Sequence, residues 1–327
     1  MNPNHIQVNF EAIGGLDEIK TSLYELAILP LQRPELFAKG KLLKPVKGVL
    51  LYGPPGTGKT MLAKAIAKEA NACFINVRSA TLQSKWFGDA QKLVTAVFTL
   101  AWKLQPSIIF IDEIDSMLGK RSNQEHEIVT NMKTEFMQMW DGFITDENAR
   151  VMVLAATNRP WEVDEAILRR LPQTFEVPLP NAAQRESILR VILEDGHCHP
   201  SLSRKGPESP IAIVAEKTEG YSGSDLQELC KKAAYRPIRE LLEVERLDRR
   251  RGKSGKHTEP RALTFEDLLN TIPEHSPSGD DAYRYQQKES FRHSTRVGAS
   301  QDDFWSSAIA QIMKSVSESN GKSPDKK

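Results

Sequence analysis

Short apolar runs alternate with amphipathic stretches along the first 180 residues of the chain. Apolar runs bounded by turn residues are typical of buried strands, and apolar positions three and four residues apart are typical of helices. The runs predict strands at Gly48–Gly53, Cys73–Val77, Ser107–Asp112, Val151–Ala156 and Thr174–Val177. The amphipathic stretches predict helices at Thr60–Ala70, Ala90–Leu104, Glu127–Met139 and Asp164–Arg170. Because the two kinds alternate, we predict an α/β fold whose five-stranded parallel sheet is covered by helices on both faces.

The pattern changes after Pro180, where the strand-like runs stop. Helical spacing then predicts helices at Ala182–Glu194, Ile211–Lys217 and Ser224–Glu245. Ser222 is placed to cap the last of these helices, and Asp225, three residues on, completes a capping box. We therefore predict a large α/β domain at 1–180 and a small all-helical lid domain at 181–272.

The C-terminal part of the chain is polar. The segment Arg246–Arg261 is basic and contains glycine, which favours a solvated linker. Residues 273–327 are predicted to form a disordered tail, since Ser, Asp, Arg and His dominate Glu274–Ser300. One helical face within 303–317 is predicted from four spaced apolar residues, Trp305, Ile309, Ile312 and Val316. It either docks on the module or a neighbour, or forms a marginal helix.

Composition narrows the functional classes. The 327 residues carry a formal net charge of +1, so no global field attracts the protein to nucleic acid or to an anionic membrane. Three widely spaced cysteines argue for free thiols in a reducing compartment and against a disulfide framework. No apolar run approaches the ~20 residues that span a bilayer, and no signal peptide opens the chain. The chain as given is expected to be soluble and cytosolic, with membrane contact only through an anchor that it lacks.

The strongest chemical signal is a glycine-rich loop between the first predicted strand and the first predicted helix. The run Gly53-Pro54-Pro55-Gly56-Thr57-Gly58-Lys59-Thr60 matches the full phosphate-loop pattern. Its glycines let backbone N–H groups surround phosphate oxygens, and the following helix directs its positive end at the same anion. Lys59 is predicted to reach the outer phosphates, and Thr60 to offer its hydroxyl to Mg²⁺. We also place Met61, the next residue, against the nucleotide.

Two further strands end in polar residues that suit phosphate chemistry. The third ends in Asp112 and Glu113, adjacent carboxylates that are costly beside a buried strand unless a cation is bound. Asp112 is predicted to hold Mg²⁺ through water, and Glu113 to polarise the attacking water. The fourth strand leads to Asn158, which either orients that water beside the γ-phosphate or is an ordinary turn asparagine.

A pair of arginines, Arg169 and Arg170, ends the last predicted helix of the α/β part. One interpretation is that they meet the negative end of the helix dipole. The other is that they are arginine fingers inserted into the ATP site of a neighbouring subunit, where such a residue typically raises the rate by about 10³ to 10⁵. The second interpretation requires an oligomer.

These motifs and several longer runs resemble the AAA ATPases of the meiotic-like clade. The similarity extends from Phe10–Gly15 to about Val244. Its supporting runs are Leu29–Phe37, Ser84–Lys92, Gln105–Asp115 and Met139–Gly142. Within the clade the chain is most similar to the branch of outer-mitochondrial-membrane protein translocases, which extract tail-anchored and stalled proteins. The resemblance implies an ATPase that uses ATP and Mg²⁺ at the cytosolic face of that membrane.

The resemblance also implies a homohexamer with ATP bound between subunits. Ile13 and Gly14 are implied to border the adenine, and Gly223 to meet the nucleotide from the helical domain. Asp141–Phe143 corresponds to a segment that reports nucleotide state between subunits. The implied substrates are polypeptides, and nucleic acid is not among the implied partners.

A loop facing the central pore is implied at Lys85–Gly88. The adjacent rings of Trp86 and Phe87 project in different directions from an extended loop, and flat rings contact many side chains with little sequence preference. Without the resemblance, two core aromatics beside a turn would be the simpler interpretation. His126 corresponds to a second pore loop, and a lone surface histidine is the alternative for it.

The function predicted from the sequence is ATP-driven extraction of membrane proteins through a hexamer pore. Microtubule severing is the rival within the enzymes, although relatives with that activity usually carry one aromatic and a small apolar residue where Trp86 and Phe87 stand. Endosomal-filament disassembly would bring a further strand insertion in the helical domain. A scaffold that binds ATP without turnover is the rival of a different class, and the intact Lys59, Asp112 and Glu113 argue against it.

Overall fold

A five-stranded parallel sheet lies at the centre of the first part of the chain. The computed structural model describes residues 1–37, 44–77, 89–119, 127–145, 149–194, 196–204, 206, 209–250, 259–275 and 277, all within the compact unit Met1–Gly279. The strands are β1 (Gly48–Tyr52), β2 (Cys73–Val77), β3 (Ser107–Ile111), β4 (Val151–Thr157) and β5 (Gln173–Glu176). They lie in the order β2-β3-β4-β1-β5, and every neighbouring pair is parallel. The predicted strand number and α/β class are confirmed.

Alternate residues of the inner strands enter two separate cores. In β3, Ile108 and Phe110 join one hydrophobic cluster, whereas Ile109 and Ile111 join the other. Every residue of β3 and β4 is buried. The sheet is therefore covered on both faces, as its nearly continuous apolar runs predict for parallel strands.

Helices from the first part of the chain cover the two faces. They are α1 (Asp17–Leu23), α2 (Leu29–Gln32), α3 (Lys59–Glu69), α4 (Asp89–Lys103), α5 (Ile114–Leu118), α6 (Glu127–Thr145) and α7 (Glu165–Leu168). The first face is packed by α1, α3 and a π-helical turn, Tyr24–Ile28, that joins α1 to α2. The second face is packed by α4, α5 and α6, whose Phe98, Phe136 and Trp140 rings meet edge to face.

The helix predicted at Asp164–Arg170 is shorter than expected. Asp164 lies outside it and caps it, because its carboxylate accepts a hydrogen bond of 2.8 Å from the Ala166 backbone N–H. The helix ends at Leu168, so both arginines follow it. Helices α1, α2 and α5 were not predicted.

The part of the chain after Pro180 is helical, as predicted. Its helices are α8 (Ala182–Glu194), α9 (Pro210–Lys217), α10 (Gly223–Arg250) and α11 (Phe265–Thr271). They enclose a third hydrophobic cluster that includes Leu189, Val214 and Leu226. The predicted boundaries at 180 and 272 remain predictions, since the compact unit includes both parts.

Two expectations for the C-terminal half need correction. The linker predicted at Arg246–Arg261 is wrong for its first residues, because α10 continues to Arg250. Arginine and leucine are good helix formers, so a charged, exposed stretch can extend a helix. Helix α11 was not predicted, although a capping box formed by Thr264 and Asp267 begins it.

Several predicted features lie outside the described residues. They are the pore-loop residues Trp86, Phe87 and His126 and the tail segment 303–317. Among the helices that the structure describes, none combines the length and the apolar character needed to cross a membrane.

Candidate functional site

The phosphate loop leaves the carboxyl end of β1 and enters α3 at Lys59. At Gly56 the backbone has φ +76°, and a Cβ there would overlap Ser222 Oγ, so both conformation and space require glycine. At Gly53 a Cβ would overlap the carbonyl of Val177, at the end of the neighbouring strand. The loop is therefore held in its curved shape by contacts on two sides.

Lys59 points back into this loop and is almost fully buried. Its side-chain ammonium donates hydrogen bonds to the carbonyls of Gly53, at 2.9 Å, and Pro54, at 2.6 Å. Burial lowers the pKa of Lys59 to about 8, and the nearby Asp112 carboxylate partly offsets this effect. A cation held inside a ring of loop carbonyls is placed to meet phosphate oxygens that enter the loop.

Thr60 and Asp112 meet beside the loop. The Thr60 hydroxyl donates to Asp112 Oδ2 at 2.8 Å, which joins the first turn of α3 to the end of β3. A hydroxyl and a carboxylate side by side are oxygen ligands of the kind that Mg²⁺ takes, usually together with waters and substrate phosphates. The residues present thus fit the predicted metal, with Asp112 as its carboxylate.

Glu113 occupies an unusual backbone conformation. Its φ of 50° and ψ of 50° are left-handed, which is uncommon for a residue other than glycine. Its N–H donates to Asp112 Oδ1 at 3.1 Å, and its carbonyl accepts from Ser116 N at 2.9 Å. The backbone is thereby turned sharply into α5, and the Glu113 side chain remains exposed next to the metal-fitting pair. Local strain of this kind is concentrated at functional sites.

The end of β4 approaches the same region. Thr157 is 1% exposed, and its hydroxyl donates to Asp115 Oδ1 at 2.6 Å and accepts from the Arg159 backbone N–H at 2.8 Å. The half-buried Asn158 stands between these two anchored residues. The sequence predicted Asn158 but missed both Asp115 and Thr157.

A cavity of about 290 Å³ extends from the phosphate loop to the helical region. It brings together seven residues predicted to bind nucleotide, namely Ile13, Gly14, Gly56, Thr57, Gly58, Met61 and Gly223. Sequence reasoning missed further residues of its lining, including Leu16, Pro178, Gln184 and Ile188. The size and mostly apolar lining suit a flat ring system beside a phosphate loop.

The cavity has close walls on the side of the helical region. A Cβ at Gly14 would overlap the backbone of Ile188 in α8, so the N-terminal segment and α8 approach as near as glycine allows. Ser224, in the first turn of α10, donates its backbone N–H to the carbonyl of Gly56 at 3.1 Å. The start of α10 is thus bonded directly to the phosphate loop.

The predicted cap of α10 is confirmed. Asp225 Oδ2 accepts from the Ser222 backbone N–H at 2.9 Å, and Ser222 Oγ accepts from the Asp225 N–H at 3.3 Å. Both residues are buried. This reciprocal pair fixes Gly223, which lies between them, against the cavity.

The two arginines have different surroundings. Arg170 forms two hydrogen bonds of 2.6 Å with the carboxylate of Asp141, in the segment implied to report nucleotide state. The Arg170 guanidinium lowers the pKa of Asp141. Arg169 is exposed. Neither arginine is among the described residues that line the cavity, so their predicted role in the ATP site of a neighbour remains a prediction.

Comparison with protein families identifies the two parts of the chain. Residues 49–179 match the family described as "ATPase family associated with various cellular activities (AAA)". Residues 210–249 match the "AAA+ lid domain". The first match contains the sheet and the phosphate loop, and the second contains α9 and most of α10.

Relatives and solved structures agree with this assignment. The chain is 51% identical over 247 residues to a Danio rerio protein named "Outer mitochondrial transmembrane helix translocase", a match that covers 76% of this chain and 63% of that protein. A Homo sapiens protein of the same name is 44% identical over 284 residues, covering 87% and 75% of the two chains. Anopheles gambiae spastin is 47% identical over 267 residues, which cover 81% of this chain and 31% of spastin.

Among solved structures, the FIGL-1 AAA domain in complex with ADP superposes with a TM-score of 0.72 at 35% sequence identity, covering 90% of this chain and 92% of that one. The fold agrees over the sheet and the helical lid, and the sequences agree well beyond the level at which only fold is shared. The chain therefore belongs to the AAA ATPase family, and it is an ATPase.

Proposed function

We propose that the chain is an ATP-driven protein translocase that extracts membrane proteins from the outer mitochondrial membrane through the pore of a homohexamer. The observation that carries this proposal is the similarity to the translocases of Danio rerio and Homo sapiens, at 51% and 44% identity. The site geometry supports it, since the phosphate loop borders the cavity and Thr60, at the end of that loop, donates a hydrogen bond to Asp112. The chain spans about two thirds of the Danio rerio protein, so membrane attachment and substrates are part of the proposal.

Each predicted residue has a distinct task in the proposed hydrolysis. Lys59 binds the outer phosphates, and the backbone of the loop encloses them. Thr60 and Asp112 would hold Mg²⁺, which when bound supplies charge neutralisation for the phosphates. Glu113 accepts a proton from the attacking water, and Asn158 orients that water.

The proposed site is completed by a second copy of the chain. Arg169 and Arg170 of a neighbour would approach the γ-phosphate and stabilise the charge that develops during transfer. The ion pair between Arg170 and Asp141 supports a role in communication, because it ties one arginine to a segment that ends α6. Hydrolysis would then change the contact between subunits and move the lid relative to the sheet.

Polypeptide would be gripped by Trp86 and Phe87, with His126 on a second loop. Aromatic rings offer a large contact area without sequence preference, which suits a motor that acts on many substrates. A fluorescent protein carrying an unfolded tag provides the test, with the chain fused to a hexamer-forming scaffold. Wild type should unfold it with ATP, and Trp86→Ala should hydrolyse ATP at a similar rate but unfold at least about tenfold more slowly.

Trp102→Ala is the matched control, since it removes a tryptophan that is 43% exposed on α4. Equal unfolding by the Trp86→Ala and Trp102→Ala variants would contradict the gripping role. If wild type hydrolyses ATP and unfolds nothing, the translocase proposal fails. Shortening of stabilised microtubules by the same preparation would then favour severing, the rival function predicted from the sequence.

A further inference from the structure

Strand β3 leads to Glu113 and β4 leads to Asn158, and the hydrogen-bonded ladder between the two strands stops before either residue. The ladder between β3 and β4 ends where Ile111 lies opposite Ala155. Strand β4 continues for two residues, and these pair on the other side, with Leu51 and Tyr52 of β1. Glu113 and Asn158 both lie beyond this last rung. Something other than the ladder must therefore set the distance between their side chains.

A charge-assisted hydrogen bond crosses this gap. The Thr157 hydroxyl donates to Asp115 Oδ1 at 2.6 Å, a length typical of a hydroxyl bound to a carboxylate. Thr157 directly precedes Asn158, and Asp115 lies two residues after Glu113. Since Thr157 is 1% exposed, water competes poorly for this bond.

The same hydroxyl also shapes the turn around Asn158. It accepts the Arg159 backbone N–H at 2.8 Å, so Thr157 Oγ also holds the residue that follows Asn158. On the other strand, the Glu113 carbonyl accepts from Ser116 Oγ at 2.8 Å. Both hydrolytic residues are thus held by their backbones, and the bond between Thr157 and Asp115 joins the two anchored turns.

We infer that Thr157 and Asp115 are a positioning pair that fixes Glu113 relative to Asn158 for ATP hydrolysis. Neither residue has a proposed chemical role of its own, so the pair acts through Asn158 and Glu113. Loss of the bond should leave nucleotide binding intact and misplace the groups that act on the water. A displacement of about 1 Å at reacting groups can lower a rate by about 100-fold.

The first test replaces the hydroxyl and keeps the shape. Thr157→Val removes it, and Thr157→Ser retains it. We expect Thr157→Val to lower kcat by about 10- to 100-fold while KM and the Kd for ATP change less than about twofold, and Thr157→Ser to recover most of the turnover. A merely structural role would lower binding and turnover together, or would follow the loss of thermal stability. Unchanged turnover in Thr157→Val would overturn the inference.

A double-mutant cycle tests whether the two residues act through one bond. If they do, Thr157→Val combined with Asp115→Ala should have about the kcat of the slower single variant, because the bond can be lost only once. Multiplicative losses would show two independent effects and would contradict a pair. Should Thr157→Val fail to fold, the half-buried Asp115→Ala variant gives the same split between kcat and Kd.

The inference rests on ATPase activity and on the proposed roles of Glu113 and Asn158. In a Glu113→Gln background, Thr157→Val should cause little further loss, since the group that it positions is already inactive. A further loss as large as in wild type would overturn the inference. All of these measurements follow ATP turnover and binding, so failure of protein translocation would leave them unaffected.

Discussion

At the scale of single residues, the site depends on side chains held in costly surroundings. Lys59 is a nearly buried cation whose nearest partners are loop carbonyls, and burial lowers its pKa to about 8. Glu113 keeps a left-handed backbone so that its carboxylate stays exposed next to a buried strand. Neither arrangement favours the folded chain by itself, and both suit an anion with a metal beside it.

Lys59 leads to a prediction about pH. The folded pKa lies near 8, below the ordinary value, so a growing fraction of the side chain is neutral as pH rises through 8. Bound phosphate favours the protonated form and raises the pKa, so ATP binding should take up a proton near pH 8.5, and affinity should fall as pH rises above about 8. Calorimetry in two buffers of different ionisation enthalpy measures this uptake directly.

The matched variant for that experiment is Lys59→Arg, whose guanidinium keeps its proton throughout this pH range. It should bind ATP without the uptake, even if more weakly. A wild-type binding enthalpy that does not depend on the buffer would show that Lys59 is already fully protonated, and that its burial costs less than the pKa implies.

At the scale of elements, the sequence predicted those parts of the structure whose residue pattern follows from one dominant physical rule. The strands were placed to within one or two residues, because buried parallel strands are nearly continuous apolar runs between turns. The phosphate loop was recognised because its glycines are required by conformation. Helices α1, α2, α5 and α11 were missed, since short helices carry few apolar positions and their stability comes from tertiary packing.

The residues of the site that the sequence did not predict are brought together by contacts between segments that are distant in the chain. Asp115 and Thr157 are 42 residues apart in sequence, and Ile188 reaches the cavity because α8 packs against Gly14. No local pattern reports such pairs. The terminal positions of strands were still a useful signal, since polar residues that follow parallel strands meet at one edge of the sheet.

Helix α11 shows how one carboxylate stabilises an element of the lid. Asp267 is 4% exposed, accepts from the Thr264 N–H at 2.9 Å and receives the Arg261 guanidinium at 2.6 and 2.8 Å. These bonds lower the pKa of Asp267 to about 2, with Arg261 the largest cause. Asp267→Asn should reduce the free energy of unfolding at pH 7 by about 2 kcal/mol, as a lost cap and a lost charged hydrogen bond imply.

Urea unfolding measured at several pH values tests this prediction and the direction of its pH dependence. A carboxylate with a lowered folded pKa contributes stability that is fully present above its unfolded value near 4 and is lost as pH falls toward about 2. The difference between wild type and Asp267→Asn should therefore be constant above about pH 5 and shrink below about pH 4. Glu266→Gln, an exposed neighbour in the same turn, should show little difference at any pH. A constant difference down to pH 3 would contradict the ionic origin.

At the scale of the whole molecule, the described residues place most of the proposed hydrolytic groups at one edge of the sheet and both arginines after α7. Lys59, Thr60, Asp112, Glu113 and Asn158 converge at the ends of β1, β3 and β4. Arg170 is bound to Asp141 of the same chain, and Arg169 is exposed beyond α7. In the proposed oligomer, a second copy would supply its exposed arginine to the site of the first.

Mixed oligomers distinguish an arginine that acts between subunits from one that acts within its own. Arg169→Ala should lower turnover about 1,000-fold, and Glu113→Gln should bind ATP and hydrolyse almost none. When the two variants are co-expressed on the hexamer-forming scaffold, some interfaces join the intact Glu113 of one subunit to the intact Arg169 of the other. With random mixing, about half of the subunits carry the intact Glu113, and about half of their neighbours carry the intact Arg169. About one quarter of the wild-type turnover would therefore be restored.

If Arg169 acted on the ATP of its own subunit, no subunit in the mixture would hold both groups, and turnover would stay at the level of the single variants. Mixing Glu113→Gln with Lys59→Ala is the control, since both changes disable the subunit's own site and no arrangement repairs it. Repeating the experiment with Arg170→Ala then separates the two arginines. Recovery with Arg169→Ala alone would assign the finger to the exposed residue, and leave Arg170 to hold Asp141 within its own chain.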